Sequence, residues 1–242
     1  MSAPDFSGAL WQASPNFGPR RDGALPSLVV IHYTAMQSAE AALERLCDPL
    51  AEVSAHYLIA EDGRIWQMVR EQDRAWHAGA GSWGAVGDVN SHSIGIELAN
   101  TGRHPFPEPQ FSMLEQLLAQ ILDRWTIPAS GVIGHSDMAP ERKFDPGPRF
   151  DWRRLARAGL SIWPENGPKR GAADGEFWDL ATRFGYGDWD RSAVLAAFRA
   201  RFRPEVREIW PDGEISPPSR TDIAILADLV SRSSVDPGTT TD

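Results

Sequence analysis

Four consecutive apolar residues, Leu28-Val29-Val30-Ile31, run directly into the polar group His32-Tyr33-Thr34. Successive side chains on a strand point to opposite faces, so a run that is apolar on both suits a central strand covered on both sides. That requirement commits the chain to a layered fold, with a sheet inside and other elements packed on each face. With 242 residues, 42% of them hydrophobic, the chain has enough apolar material to build such a core.

The surrounding pattern supplies the layers. Residues 38–46 read as a helix, with Glu40 and Glu44 on one exposed side and Ala41, Ala42, Leu43 and Leu46 available for packing. Two strand-like runs, His56–Ile59 and Arg64–Val69, flank Glu61-Asp62-Gly63, and Asp-Gly at that junction signals a hairpin because the turn needs positive φ. Ser93–Leu98 reads as another strand. Phe111, Leu114, Leu118, Ile121 and Trp125 recur at three and four residues, the stripe of an amphipathic helix ending before Pro128. Gly131–Gly134 is a last short strand leading into His135. The expected fold class is α/β, a mixed central sheet flanked by helices, followed by a small all-helical domain. The expected boundaries are an extended arm over 1–27, an α/β domain over 28–164, a Gly/Pro-rich linker over 165–175, a helical domain over 176–232 and a loose polar tail over 233–242.

Composition narrows the partners. Lys and Arg number 24 against 33 Asp and Glu, for a net charge of −9, with no dense basic run. That balance argues against nucleic acid or an anionic membrane surface as the main partner. The lone Cys47 excludes an internal disulfide. No apolar stretch approaches the ~18 residues of a membrane span, so no membrane insertion is expected. Met1–Arg21 lacks the uninterrupted apolar core of a signal peptide, so a cytoplasmic location is expected; a periplasmic one follows only if a leader precedes this sequence.

Three residues are candidate metal ligands. His32 and His135 each sit at the end of a strand, 103 positions apart, and Asp145 follows His135 by ten. Functional side chains gather at strand ends in α/β sheets, so the two imidazoles can converge. Two imidazoles and one carboxylate leave a fourth tetrahedral position open, the pattern of catalytic zinc, where a bound water drops from pKa 15.7 to about 7. A histidine at a strand end serves structural hydrogen bonding equally well. Glu97, among Ile94, Ile96 and Leu98, fits a buried proton shuttle or the polar face of an edge strand. Lys143 fits an oxyanion stabiliser or a solvated surface lysine.

At this point a family resemblance enters. The runs Val29–Ala35, Val53–Ile59, Arg74–Gly79, Ser93–Asn100 and Gly134-His135-Ser136-Asp137-Met138-Ala139-Pro140-Glu141-Arg142-Lys143-Phe144-Asp145-Pro146-Gly147 resemble, in order, the type 2 N-acetylmuramoyl-L-alanine amidases. They are most similar to the AmpD/AmiD-like branch of Gram-negative bacteria. The match spans about 16–165, and Phe184-Gly185-Tyr186 with Ala197–Pro204 is similar to helical peptidoglycan-binding modules appended to some of these enzymes. The resemblance implies one zinc ion held by His32, His135 and Asp145, with Glu97 as acid and base and Lys143 at the oxyanion. The implied reaction cuts the amide between the lactyl group of N-acetylmuramic acid and L-alanine of the stem peptide. Muropeptide fragments are the implied partner, in the 1,6-anhydro form if the enzyme works in cell-wall recycling. Some relatives carry a tyrosine just before the position of His56; Ala55 stands here, as in the AmpD-like branch.

Other residues keep two readings. His77 and Trp76 fit a groove lining that touches substrate, and Asn90 and Asn100, flanking the Glu97 strand, fit either substrate amides or turns. His56 suits a structural hydrogen bond, and Trp66 and Trp83 suit either sugar stacking or core packing. Arg199, Arg201 and Arg203 fit a basic edge that meets stem-peptide carboxylates, or a solvated helix face. The rival function is a non-hydrolytic muropeptide-binding or sensor protein on the same fold, and a further one is an exported murein-remodelling amidase. Binding-only members of the wider family typically lose a metal ligand, whereas His32, His135, Asp145, Glu97 and Lys143 are all present.

Overall fold

A computed structural model describes residues 3–165, 174–206 and 215–232. The linker expected over 165–175 lies outside these but for its ends, and the tail expected over 233–242 lies outside them entirely.

Among the described residues eight strands occur in chain order: β1 (Leu10–Trp11), β2 (Phe17–Pro19), β3 (Leu28–Tyr33), β4 (Tyr57–Ile59), β5 (Ile65–Gln67), β6 (Asp73–Ala75), β7 (Ser93–Leu98) and β8 (Val132–Gly134). The helices are α1 (Ala39–Cys47), α2 (Val89–His92), α3 (Glu108–Trp125), α4 (His135–Met138), α5 (Trp152–Arg157), α6 (Asp174–Phe184), α7 (Arg191–Phe202) and α8 (Arg220–Arg232). Six strands form one sheet in the order β1-β5-β4-β7-β3-β8, and β2 pairs with β6 in a separate two-stranded sheet. Strands β4, β7, β3 and β8 are mutually parallel, while β5 runs antiparallel to β4 and parallel to β1. The sheet is therefore mixed, as the sequence pattern predicts.

Period-two alternation divides the core. Val29 and Ile31 of β3, with Ile94, Ile96 and Leu98 of β7, face one layer where Phe111, Leu114, Leu118 and Ile121 of α3 cover them. Leu28 and Val30, with Ile133, face the opposite layer and pack with Phe177, Leu180, Phe198 and Leu226 of the C-terminal helices. Leu58 and Trp66 on that second side meet Ala42 and Leu46 of α1. β3 is apolar on both faces because both are covered. The hairpin between β4 and β5 turns through Gly63 at φ 88, a conformation that costs a side-chain-bearing residue more. Ser38 caps α1, its hydroxyl accepting from the Ala41 N–H at 3.1 Å.

The first 27 residues do not stand apart from the sheet: β1 adds to its edge beside β5, and the Arg20 guanidinium donates to the carbonyls of Glu71, Ser91 and Ser93. The basic edge expected of Arg199 and Arg201 is not there. α7 is buried on all sides from Ala193 to Phe202, and both arginines are buried in ion pairs, Arg199 with Asp222 at 2.9 Å and Arg201 with Asp137 at 2.6 Å. A buried guanidinium needs a carboxylate beside it, and each has one.

Candidate active site

The sheet delivers its functional side chains at the carboxyl ends of three adjacent parallel strands, where α/β sheets open to ligands. His32 is the penultimate residue of β3 and lies in register with Glu97 of β7. Paired positions on neighbouring strands point the same way, so this carboxyl stands beside the imidazole on the face opposite α3. β7 lies between β4 and β3, which excludes the edge-strand reading of Glu97. His135 opens the single turn α4 directly after β8. The segment beyond α4 folds back on it, with Ser136 N–H donating to the Asp145 carbonyl at 2.9 Å and Lys143 N–H to the Ala139 carbonyl at 3.0 Å. That return brings Asp145 to His135.

Three donor atoms meet there. His32 Nδ1 lies 2.9 Å from His135 Nδ1 and 3.0 Å from Asp145 Oδ2, and His135 Nδ1 lies 3.1 Å from the same oxygen. All three residues are buried, and they form the candidate metal-holding group among the described residues. Bonds of 2.0–2.2 Å to one tetrahedral zinc put its ligand atoms about 3.3 Å apart, so the observed triangle fits a zinc ion with little adjustment. The donor chemistry fits as well. Burial, then the neighbouring His135, lowers His32 to about 4, so its ring is neutral at pH 7 and has a lone pair to offer. Asp145 adds a carboxylate oxygen, the third donor such a site uses.

A hollow of about 360 Å³ opens over the trio, lined among others by Glu97, Lys143, Trp76 and His77. Burial, and then the negative Asp145, pushes Glu97 up to about 8, partly offset by Lys143. Its Oε2 has no hydrogen-bond partner among the described residues. A carboxyl near neutrality between its two forms, aimed into a cavity, is suited to moving a proton.

The other expected site residues take different places. Trp76 and His77 border the hollow. His77 Nδ1 also sits 3.0 Å from His32 Nε2, a contact that sequence reasoning missed. Asn90 is buried with its Oδ1 accepting from the N–H groups of His77 and Ala78, at 3.1 and 2.8 Å. Asn100 borders a neighbouring hollow, its Oδ1 accepting from Gly102 N–H at 2.7 Å. His56 is a structural histidine: its Nδ1 accepts from Gly95 N–H at 2.9 Å, and its Nε2 lies 3.1 Å from the Asp73 carbonyl. Trp66 and Trp83 are core residues.

Comparison with known proteins gives the chain its relatives. The family profile described as N-acetylmuramoyl-L-alanine amidase matches residues 22–148. The chain is 34% identical over 219 residues to the N-acetylmuramoyl-L-alanine amidase AmiD of Escherichia coli K12, covering 77% of this chain and 78% of that one. It is 37% identical over 159 residues to the 1,6-anhydro-N-acetylmuramyl-L-alanine amidase AmpD of Citrobacter freundii, covering 59% of this chain and 85% of that one. The solved complex of E. coli AmiD with anhydro-N-acetylmuramic acid-L-Ala-D-γ-Glu-L-Lys superposes with a TM-score of 0.78 at 31% identity, covering 93% and 94% of the two chains. AmpDh3 of Pseudomonas aeruginosa in complex with an anhydromuramic pentapeptide gives a TM-score of 0.75 at 28% identity, covering 96% and 98%.

Proposed function

Because the chain belongs to the N-acetylmuramoyl-L-alanine amidase family, we propose that it is a zinc enzyme that cleaves the amide between 1,6-anhydro-N-acetylmuramic acid and the L-alanine of a stem peptide. The observation that carries the reading is the convergence of His32, His135 and Asp145 within about 3 Å of one another, beside the half-buried carboxyl of Glu97, whose Oε2 has no hydrogen-bond partner among the described residues. Two relatives solved with anhydro-muramoyl peptides bound support the substrate class, as does the AmpD similarity. A binding-only protein would have no use for a raised Glu97 beside a complete ligand trio.

His32, His135 and Asp145 would hold the zinc. Zinc in such a site makes water a nucleophile at neutral pH and polarises a carbonyl oxygen. Glu97 accepts the proton that the attacking water gives up and then passes it on. The recipient is the alanine nitrogen, which leaves as a neutral amine rather than as an amide anion. Lys143, on the wall of the same hollow, places an ammonium where negative charge grows on the scissile oxygen. Trp76 provides an apolar wall for the muramoyl or peptide portion.

The division into an amidase unit over 28–164 and a helical unit over 176–232 belongs to the same reading. It is supported by a family match that ends at 148, before α6 begins. Among the described residues no helix is long and apolar enough to cross a membrane. We assign the activity to cytoplasmic recycling of soluble fragments, an assignment that cell fractionation tests. The deciding experiment compares hydrolysis of anhydro-muropeptides with hydrolysis of intact sacculi, before and after chelation. About one zinc per chain, release of L-alanyl peptides from the soluble fragments, and loss of activity on chelation that added zinc reverses are expected. Turnover that survives complete zinc removal would overturn the metal reading. Faster digestion of sacculi than of fragments would replace recycling with wall remodelling.

A further inference from the structure

Behind the ligand trio, hydrogen-bond donors and acceptors can be arranged in one direction only. Ser93 Oγ lies 2.5 Å from the Val89 carbonyl, which can only accept, so the hydroxyl proton points there. Ser93 Oγ therefore accepts from His77 Nε2, 3.2 Å away. A neutral imidazole with its proton on Nε2 has a bare Nδ1, and that atom of His77 faces His32 Nε2 at 3.0 Å. His32 must then carry its proton on Nε2 and turn a lone pair on Nδ1 toward His135 and Asp145. His135 reaches the same tautomer by another route, because its Nε2 lies 3.0 Å from the Ala78 carbonyl. Both rings thus offer Nδ1 lone pairs at one point, the form in which a metal takes them.

The placement of His77 is built into the fold. A Cβ at Gly95 would stand 2.4 Å from His77 Cγ, so the ring occupies the space that a side chain on β7 would fill. Asn90 fixes the backbone from the other side through the two N–H groups of His77 and Ala78. That one short segment sets both imidazoles, His32 through a side chain and His135 through a carbonyl.

We infer that His77 is a positioning residue for the metal ligand His32, holding its tautomer and ring plane through the chain Val89–Ser93–His77, rather than a contact for the stem peptide. The inference rests on the zinc reading above. The test titrates zinc into the zinc-free full chain in competition with a chromophoric chelator, with KM measured on the zinc-loaded enzyme. His77→Leu is expected to weaken zinc binding about 10- to 100-fold. KM for an anhydro-muropeptide should change by less than about threefold, since no substrate contact is lost. His77→Asn, whose Oδ1 offers an acceptor close to the lost Nδ1, should recover much of the affinity. Ser93→Ala, which leaves the His77 ring in place but takes away its acceptor, should weaken zinc binding in the same direction by a smaller factor, and it decides the matter if the leucine variant does not fold. Wild-type zinc affinity in His77→Leu, or in Ser93→Ala where that variant stands in, overturns the inference, as does a raised KM at unchanged affinity. A wild-type chain that takes up no zinc would bring down the metal reading itself.

Discussion

Two buried polar clusters lie on either side of the single turn α4, and they are built on opposite principles. Asp137 points toward the C-terminal helices. Its Oδ2 accepts from Arg201 Nη1 at 2.6 Å and from Gly134 N–H at 2.7 Å, and its Oδ1 accepts from the Tyr186 hydroxyl at 3.1 Å. Arg201 also donates to the Val132 carbonyl at 2.9 Å and lays its guanidinium 4.2 Å from the Trp152 ring centre. One anion meets one cation, and each carboxylate oxygen and both terminal guanidinium nitrogens have a hydrogen-bond partner, the exception being Arg201 Nε. His135, two residues before Asp137, points the other way, into a cluster where acceptors face acceptors and Glu97 Oε2 has no partner. Matched burial holds a fold together, whereas unmatched burial is held in place by the fold and left available for a ligand or a proton. The comparison predicts that variants in the first cluster cost stability, and that variants in the second cost chemistry.

The largest expected effect is in the second cluster. Glu97→Gln keeps the shape and removes the proton shuttle, so kcat should fall about 10²- to 10⁴-fold while zinc stoichiometry stays at the wild-type value. The same change should stabilise the zinc-free protein in alkali. The folded-state pKa of Glu97, about 8, lies above the ordinary 4.5, so the folded state favours the proton. That contribution is complete below about pH 4.5 and is lost as pH rises through about 8. Urea unfolding at pH 9 should therefore find the variant more stable than wild type, with the difference shrinking toward pH 4.5. A variant that turns over normally would remove Glu97 from the reaction and with it the contrast between the clusters.

Arg201→Met should do the reverse. Removing one member of a buried pair leaves the Asp137 carboxylate uncompensated, at a cost of about 3–5 kcal/mol in unfolding free energy. The molecules that remain folded should keep kcat within a few-fold of wild type. Adding Asp137→Asn should recover part of the loss, because the stranded charge is then gone. Loss of zinc from a folded Arg201→Met protein would show instead that the two clusters work as one.

The two clusters were unequally legible. The strand that carries His32 is marked by an apolar run on both faces, and Glu97 and His135 sit at the ends of readable strands. Their meeting depends on parallel register, which aligns His32 with Glu97, and on the return of the 139–145 segment. Spacing alone suggests neither, and the family motifs supplied what periodicity did not. The motifs point to His32, His135, Asp145 and Glu97 as candidates for roles, and to nothing behind them. His77 resembles a groove histidine until Gly95 is seen to make room for its ring. Arg199, Arg201 and Arg203 suggest a basic edge by their spacing, and the misleading feature is the charge itself. Ala193, Ala196, Ala197 and Ala200 interleave with Val194, Leu195, Phe198 and Phe202, so α7 is small or apolar all round, the mark of a buried helix. The partner that makes burial of Arg201 tolerable is 64 residues away, beyond any local signal.

The smallest change is the most discriminating. Tyr186 is buried, and burial, then Asp137, raises its hydroxyl well above the ordinary pKa, so the phenol stays neutral and donates to Asp137 Oδ1. Tyr186→Phe removes that one donor and leaves the ring to pack as before, 5.1 Å from Trp83. Asp137 keeps Arg201 and the Gly134 N–H, so the loss should be about 1–2 kcal/mol, read as a lower urea midpoint at unchanged slope. Because the remaining bonds still fix Asp137, α4 should not move, and zinc affinity and kcat should match wild type. A zinc affinity that falls along with stability would mean that His135 senses the tension of the cluster two residues away. The C-terminal helices would then act on the metal through α4, and the division between a cluster that holds the fold and a cluster that performs the reaction would have to be abandoned.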